Sequence, residues 1–271
     1  MLRVVMAIQT YYKRYQDRVP VPDVPEGFID TLPTNYKHLW HGFGLQEATP
    51  ETIQLGRELY WGLVNWLDDE IGKLSTALRN SDVADNTVVI YCADHGESKG
   101  DHGLWWKSTM YEQSARIPLI ISWPHRWQGN QRREGACSLV DLVQTIAHLA
   151  EAKAPKDWNG DSMLDWMDDE NVEWKDLAVS EYYAYYVASG YAMLRQGPWK
   201  YVYHTKMDNT QNAERELYNL DEDPSEFDNL SDQPKHANRL ATMHATLIEE
   251  LGRDPEEAEA ECRAYYSGKQ A

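Results

Sequence analysis

The sequence TVVIYCADHGESKGDHGLWWKSTMYEQSARIPLIISWP, which runs from Thr87 to Pro124, decides how the rest of the chain can be interpreted. It begins with an apolar, β-branched run that predicts a buried strand, and a second apolar run closes it. Between the two runs lies a glycine-punctuated segment with acidic, imidazole and ammonium side chains. Because functional groups in α/β folds cluster beyond the carboxyl ends of parallel strands, we expect a ligand site at the mouth of the first strand.

Four side chains of this segment are candidates for such a site: Asp94, His95, His102 and Lys107. Gly96 lets the backbone turn after the strand, so the neighbouring aspartate and histidine could both reach one divalent cation. A lysine beside such a cation can bind the oxygens of a transferring sulfuryl or phosphoryl group. The Asp-His pair alone is equally compatible with a capping aspartate and a hydrogen-bonded histidine. A single lysine is usually a solvated side chain, and His102 could simply cap the loop.

The composition narrows the classes of partner. The chain of 271 residues has 26 Lys and Arg against 44 Asp and Glu, which gives a net charge of −18. This excess of negative charge disfavours nucleic acid and an anionic membrane as partners, whereas a small anionic substrate is compatible with a locally cationic pocket. Three widely spaced cysteines fit reduced thiols in the cytoplasm better than a disulfide framework, and we expect Cys92 to be buried.

The flanking patterns predict a layered α/β arrangement. Residues 9–40 combine tyrosines with prolines that interrupt any period, so we expect an extended loop. Thr49 is a suitable N-cap for a long helix in which apolar residues recur every three or four positions from Leu59 to Leu78. Ser138 caps a second amphipathic helix.

Short runs between Leu177 and Leu220 predict an antiparallel sheet with a hairpin turn at residues 196–198. A last helix is expected over residues 234–251, followed by a loosely held acidic tail. The chain should therefore divide into an α/β domain, residues 1–160, and a C-terminal subdomain, residues 161–271, in which a small antiparallel sheet packs with the last helix.

The order of these motifs resembles the C-terminal portion of sulfatases in the alkaline phosphatase superfamily. In that family a strand precedes Ser/Ala-Asp-His-Gly-Glu, a Gly-Glu/Asp-His-Gly loop, a lysine and Tyr-Glu-x-x-x-Arg-x-Pro-Leu-Ile. The corresponding blocks here are Ala93–Glu97, Gly100–Gly103, Lys107 and Tyr111–Ile120. Similar blocks flank them in family order, at Leu67–Gly72, Val140–Thr145, Trp199–Tyr201 and Glu216–Glu226. The Asp-His form of the motif is closest to the choline sulfatase and phosphonate monoester hydrolase branches.

The resemblance implies part of an alkaline phosphatase-like α/β/α sandwich and a hydrolase of small sulfate esters. It implies a divalent metal, with Ca²⁺ as the first choice and Mn²⁺, Mg²⁺ or Zn²⁺ as alternatives. By the same resemblance Asp94 and His95 are metal ligands, and Lys107 is a catalytic residue that binds the sulfate group. His102 lines the substrate site and assists the leaving alcohol.

By that comparison no cysteine or serine of this chain serves as the family's Cys/Ser-x-Pro-x-Arg nucleophile, and the family's N-terminal Asp-Asp metal pair is also missing. We therefore expect a truncated sulfatase with little activity by itself, which works as a homo-oligomer or with a complementing N-terminal half. Two alternatives stay open. One is a phosphonate or phosphodiester hydrolase on the same fold, and the other is a non-catalytic binding or assembly module.

Overall fold

The computed structural model of the chain describes residues 2–184, 187–207 and 211–268. These residues form two compact units. The first unit contains the residues up to Thr31 together with Leu39–Gly129, and the second contains Leu32–His38 together with the residues from Asn130 onwards. The predicted domain boundary at residue 160 stays a prediction. No helix in the described part of the chain is both long and apolar enough to span a bilayer.

The N-terminal region is mainly helical, so the predicted extended loop over residues 9–40 is wrong. Helix α1 spans Leu2–Tyr15, α2 spans Phe28–Thr31 and α3 spans Thr34–Gly42. The prolines lie in the connections between these helices, where proline interrupts no helical hydrogen bond. They therefore separate the helices and do not prevent them from forming.

Helix α4, Pro50–Arg79, confirms the predicted long helix and its start. The Thr49 side chain accepts a hydrogen bond from the Thr52 amide at 3.3 Å, and Pro50 occupies the first turn. The residues that α4 buries are Arg57, Glu58 and Gly62, whereas several of its leucines are exposed. The predicted apolar stripe exists, but in this structure it does not face the core.

The decisive stretch forms strand β1, Val89–Cys92, helix α5, Glu112–Ala115, and strand β2, Leu119–Ser122. The two strands pair antiparallel in a two-stranded sheet, with Val89 opposite Ser122 and Cys92 opposite Leu119. The expectations of a buried strand, a parallel neighbour and a buried Cys92 are therefore wrong. Both strands are half-exposed and Cys92 is exposed, because no further strand flanks the pair among the described residues.

The second unit contains helices α6, Leu139–Leu149, and α7, Leu164–Asp168, followed by a four-stranded sheet. Its strands are β3, Leu177–Tyr182, β4, Tyr191–Gln196, β5, Trp199–His204, and β6, Glu214–Asn219, paired antiparallel in sequence order. Gly197 lies in the tight β4–β5 turn with φ of 54°. This meander confirms the predicted antiparallel sheet and its hairpin.

Helix α8, Ala237–Leu251, packs on this sheet and confirms the last predicted helix. The core between them includes Leu194, Tyr201, Leu217 and Leu247, all fully buried. Burial of such side chains contributes about 1.5–3 kcal/mol each. The interface between sheet and helix therefore holds this unit together.

The acidic tail forms helix α9, Pro255–Gly268, so the prediction of a loosely held tail is wrong. Glu256 accepts a hydrogen bond from the Tyr203 hydroxyl at 2.8 Å, and Glu259 accepts one from the Gly190 amide at 2.7 Å. Ala258 is 1% exposed. The carboxylates that suggested a solvated tail are the groups that attach it to the sheet.

Candidate metal and anion site

After β1 the chain passes very close to α5, and one glycine makes this approach possible. The Gly96 amide donates to the Ser114 carbonyl and the Glu97 amide donates to the Gln113 carbonyl, each at 2.7 Å. A Cβ atom on Gly96 would lie 2.0 Å from the Gln113 oxygen, which no side chain tolerates. The glycine of the motif therefore holds the preceding residues against α5.

Asp94 and His95 converge on one point. The His95 Nε2 lies 3.5 Å from the Asp94 Oδ2, and the His95 amide donates to the Asp94 Oδ1 at 3.1 Å. The His95 Nδ1 lies 2.7 Å from the Gly96 carbonyl oxygen, which only accepts, so Nδ1 carries the proton. In the neutral imidazole the Nε2 lone pair then faces a carboxylate oxygen. A shared cation would stabilise this arrangement, and a hydrogen bond from the other ring nitrogen is the usual support of a metal-binding histidine.

These two residues are a partial ligand set. Within residues 2–184, 187–207 and 211–268, no group of three or more His, Cys, Asp or Glu side chains is placed to hold a metal ion. Ca²⁺ takes six to eight oxygen ligands and Mg²⁺ takes six. Asp94 and His95 therefore fit a divalent cation chemically, but they supply only part of its coordination shell.

The loop that follows is conformationally strained. Nine non-glycine residues of the described chain have positive φ, and four of them lie between residues 99 and 108. They are Lys99, His102, Trp106 and Ser108, with φ of 52°, 57°, 66° and 74°. A bulky residue such as tryptophan rarely adopts this conformation, and such residues concentrate at functional sites. Residues with positive φ are thus concentrated in the segment that carries two of the candidate residues, His102 and Lys107.

Helix α4 anchors this loop through a buried arginine. The Arg57 Nη1 donates to the Lys99 carbonyl at 2.8 Å and lies 3.3 Å from the Asp101 Oδ2. The Trp105 ring packs over Gly56, where a Cβ atom would lie 2.6 Å from the ring. Helix α4 therefore directs Arg57 and Gly56 towards this loop, and contacts with both residues hold the loop in place.

His102 lies beneath the surface of the loop. Its ring is stacked on that of Tyr111, with centroids 3.8 Å apart and planes 3° apart, and the Phe28 ring is 5.5 Å away. The residue is 2% exposed. The aromatic neighbours enclose the imidazole, so the prediction that His102 lines the substrate site and assists the leaving alcohol stays a prediction.

Lys107, unlike the buried His102, has an exposed side chain. It is exposed and lies between Trp106 and Ser108, both of which have positive φ. No described residue forms an ion pair or hydrogen bond with its ammonium group. The side chain is therefore available to bind an anion, as its predicted role requires.

Polar atoms without partners surround the same loop. Five buried side-chain atoms in the described part of the chain have no hydrogen-bond partner, and four of them belong to Arg57, Glu97, Thr109 and Gln113. Burial raises the pKa of Glu97, and the nearby Lys99 ammonium opposes this shift. Buried polar groups in native proteins are nearly always paired, so these atoms indicate groups that the described residues do not supply.

Two residues of this site were not among the predicted ones. Glu97 belongs to the Asp-His-Gly-Glu motif, so its position beside the two candidate ligands was a usable signal. Arg57 lies 37 positions before Asp94 on a helix, and one arginine in such a helix carries no signal of its own. Only the folded loop shows that Arg57 supports the site.

The pattern Ser-x-Pro-x-Arg occurs once in the sequence, at Ser122–Arg126. The expectation that no serine fits the sequence pattern of the family's nucleophile is therefore wrong. The register of the β1–β2 sheet shows how far this serine lies from the candidate metal ligands. Ser122 pairs with Val89 at the start of β1, whereas Asp94 follows Cys92 at its end. Three residue steps of about 3.3 Å separate the two ends of the strand, about 10 Å in all. The serine therefore lies at the far end of the sheet from the candidate ligands.

Two family models match the chain. The model described as "Sulfatase" matches residues 8–152, and the model described as "N-sulphoglucosamine sulphohydrolase, C-terminal" matches residues 100–253. Each match covers more than half of the 271 residues. The overlap of the two matches contains Lys107.

Curated relatives are similar over about 200 residues. The chain is 31% identical to the choline-sulfatase of Rhizobium meliloti (strain 1021) over 201 residues, which are 73% of this chain and 38% of that protein. It is 33% identical to the arylsulfatase K of Canis lupus familiaris over 190 residues, which are 68% of this chain and 35% of that protein. The chain thus spans between a third and two fifths of the length of these relatives.

Solved structures share the fold. A phosphonate monoester hydrolase from Silicibacter pomeroyi has a TM-score of 0.73 at 23% identity, over 86% of this chain and 50% of that chain. A protein described as a 2-O GAG sulfatase has a TM-score of 0.74 at 21% identity, over 90% of this chain and 56% of that chain. Likeness at this level of identity shows the fold, and it confirms the predicted class, a partial alkaline phosphatase-like α/β fold.

Proposed function

This chain belongs to the sulfatase family, and from that premise we propose that it carries the metal-binding and sulfate-binding part of a sulfate-ester hydrolase. The observation that carries the proposal is the pair formed by Asp94 and His95. Its histidine has one ring nitrogen bound to a carbonyl oxygen and the other directed at a carboxylate. That geometry suits a divalent cation, with Ca²⁺ as the first choice and Mn²⁺, Mg²⁺ and Zn²⁺ as alternatives.

In this proposal each residue of the loop has a separate task. A bound cation would supply positive charge beside the sulfuryl oxygens of the substrate. The exposed Lys107 ammonium binds the same oxygens and stabilises the negative charge that they gain as the ester bond breaks. The enclosed His102 ring supports the loop that carries Lys107, and it can reach a leaving alcohol only if the loop opens.

In this proposal the residues of the candidate site do not include the nucleophile, which has to come from elsewhere. Ser122 lies at the opposite end of the sheet from Asp94, and we assign no cysteine of the chain to this role. We propose that a complementing N-terminal portion of a sulfatase fold provides the nucleophile and the remaining metal ligands, with a homo-oligomer as the alternative. The cytoplasm stays the proposed compartment because the cysteine number is odd.

The experiment is hydrolysis of 4-nitrophenyl sulfate. The purified chain alone should show little turnover, and the chain co-expressed with the N-terminal portion of the Rhizobium meliloti choline-sulfatase that it does not span should show clear turnover. Lys107→Ala should lower kcat/KM about 100-fold, as removal of one transition-state donor does. Lys153→Ala, which alters an exposed lysine of the second unit, is the control. Turnover by the chain alone that Lys107→Ala removes would refute the proposed dependence on a partner.

A phosphonate or phosphodiester hydrolase is the second candidate, because the Asp-His form of the motif resembles that branch. Relative rates on 4-nitrophenyl sulfate and bis(4-nitrophenyl) phosphate distinguish the two reactions. A non-catalytic module would show neither rate, and Asp94→Ala would leave its metal content unchanged. The sulfate ester is our choice because the curated relatives are named sulfatases.

A further inference from the structure

A buried set of polar side chains attaches Leu32–His38, which we call the inserted segment, to the sheet of the second unit. The inserted segment belongs to that unit, although the chain on both sides of it belongs to the first. At the centre of the set is His204 on β5. Its Nδ1 lies 3.2 Å from the Asn35 Nδ2, and its Nε2 lies 2.8 Å from the Glu216 Oε1. All three residues are 1% exposed, so bulk solvent does not reach these contacts.

The hydrogen bonds of Asn35 fix which of its amide atoms faces the histidine. The Asn35 Oδ1 accepts from the Ala188 amide at 2.9 Å and from the Ser189 amide at 3.0 Å. The Asn35 Nδ2 therefore faces His204, and it also donates to the Ser189 Oγ at 3.2 Å. The Ser189 hydroxyl donates to the Thr205 carbonyl at 2.7 Å, so it accepts from Asn35. Asn35 thus presents only N–H groups to the imidazole.

These contacts assign the tautomer of His204. Because Asn35 donates to it, the His204 Nδ1 accepts and carries no proton. The proton of the neutral ring is then on Nε2, which donates to the Glu216 Oε1. The Glu216 Oε2 accepts from the Tyr218 hydroxyl at 2.8 Å, so both carboxylate oxygens have donors. The set of hydrogen bonds is complete when the imidazole is neutral.

Protonation of the imidazole would break one contact and keep the other. A charged histidine has a proton on both ring nitrogens, so its Nδ1–H would point at the N–H groups of Asn35. The Glu216 carboxylate would keep its hydrogen bond with Nε2 and would compensate the new charge. The sheet can therefore hold the charged ring, and the contact that is lost is the one with the inserted segment.

Other titratable groups also face His204. The rings of Tyr191 on β4 and Tyr36 on α3 have centroids 5.0 Å and 5.1 Å from the imidazole. Burial raises the pKa of Tyr191 well above its ordinary value, which keeps this ring neutral. Glu214 is opposite His204 in the β5–β6 register, and its carboxylate accepts from the Thr34 amide at 2.8 Å and from the Thr34 hydroxyl at 3.1 Å. Glutamate ordinarily titrates near pH 4.3, about two units below histidine, so the two kinds of group can be separated by pH.

We propose that His204 is a pH-sensitive switch that controls how firmly the inserted segment is attached to the sheet. The neutral ring accepts the hydrogen bond of Asn35, and the charged ring repels its N–H groups. The detached state binds one proton more than the attached state, so its population rises as the pH falls, by up to about tenfold per pH unit in the range where the histidine titrates. The contacts of Thr34 with Glu214 do not involve the imidazole, so the opening is local and leaves the sheet folded. This inference is independent of the proposed function.

Hydrogen–deuterium exchange tests the switch on the full 271-residue chain between about pH 7.5 and about pH 5.5. Exchange rates of peptides that cover residues 32–38 are divided by the rates of an unfolded chain at the same pH, which gives the protection of the segment. We expect this protection to fall at least about fivefold over the range. His204→Gln should remove the dependence on pH, because an amide does not become protonated. His38→Gln, the same change at an exposed histidine of the inserted segment, is the control and should keep the dependence.

Asn35→Asp is a second variant that reverses the contact. It keeps an oxygen for the two amides and turns a carboxylate oxygen towards the ring, so protection should rise and not fall on acidification. Nitrogen-15 NMR of the histidine-labelled parent chain, with the His204 signal identified by its loss in His204→Gln, should show the Nε2–H tautomer at about pH 7.5. Circular dichroism shows which variants fold.

Four results would overturn the switch. They are a protection in the parent chain that does not change with pH, a dependence that survives in His204→Gln, an unchanged fall in Asn35→Asp, and a proton on the His204 Nδ1 at about pH 7.5. The first of these is measured on the parent chain alone, so the inference can be refuted even if no variant folds.

Discussion

At the scale of single residues, Asp94 and His95 are the proposed ligands of a divalent cation, with their side chains 3.5 Å apart. We expect the isolated chain to bind Ca²⁺ or Mn²⁺ weakly, with a Kd of about 10⁻⁴–10⁻³ M, because two ligands leave most of the coordination shell to water. Isothermal titration calorimetry measures this affinity. Asp94→Asn should abolish the binding, and Asp157→Asn, an exposed carboxylate elsewhere, should not. Submicromolar affinity that persists in Asp94→Asn would place the metal at other residues.

His244 makes the stability of the second unit depend on pH. Burial lowers its pKa below the usual 6.5, the Arg215 charge lowers it further and Asp254 opposes the shift. A histidine with a lowered pKa in the folded state stabilises the fold above its unfolded pKa, and this stabilisation is lost as the pH falls through the folded pKa. His244 also lies 3.1 Å from the Tyr201 hydroxyl through its Nδ1.

We therefore expect the free energy of unfolding to fall as the pH is lowered below about 6.5, the usual histidine pKa, and His244→Gln to reduce that slope. Urea denaturation at several pH values measures it. The prediction fails if the variant shows the same dependence on pH as the parent chain.

At the scale of helices and strands, local signals predicted where α4 and the meander begin and end. Thr49 at the cap of α4 and Gly197 in the hairpin carry these signals within a few residues. The sequence did not reveal that α4 turns Arg57 inward. Periodicity identifies an apolar side, but the neighbours available to the helix decide which side is buried. The expected loop over residues 9–40 was wrong for a similar reason, since the prolines separate helices that the pattern did not show.

A buried ion pair ties β5 to the segment that follows β6. The Lys200 Nζ lies 2.7 Å from the Glu226 Oε1, and the two side chains are 1% and 0% exposed. Glu226→Gln should lower the free energy of unfolding by about 3–5 kcal/mol, because it leaves a buried ammonium without its counter-charge. Glu222→Gln, on an exposed residue nearby, should change it by less than about 0.5 kcal/mol. Equal effects of both changes in urea denaturation would show that the buried pair has no special importance.

At the scale of the whole molecule, the sequence motifs were sufficient for the family and insufficient for the site. Blocks such as Ala93–Glu97 and Gly100–Gly103 follow one another in family order and gave the fold class. These motifs could not show whether the candidate site is complete, because a motif reveals only the residues that are present. The unpaired atoms of Glu97 and Gln113 and the exposed leucines of α4 became visible only in the folded chain.

The most direct test of the account is metal restoration in the co-expressed complex described above. Hydrolysis of 4-nitrophenyl sulfate is measured after treatment with EDTA and after separate addition of Ca²⁺, Mn²⁺, Mg²⁺ and Zn²⁺. We predict that at least one of these ions restores turnover in the parent complex and that none restores it in the complex that carries Asp94→Asn. Turnover that persists without metal, or that returns equally in Asp94→Asn, would contradict the account.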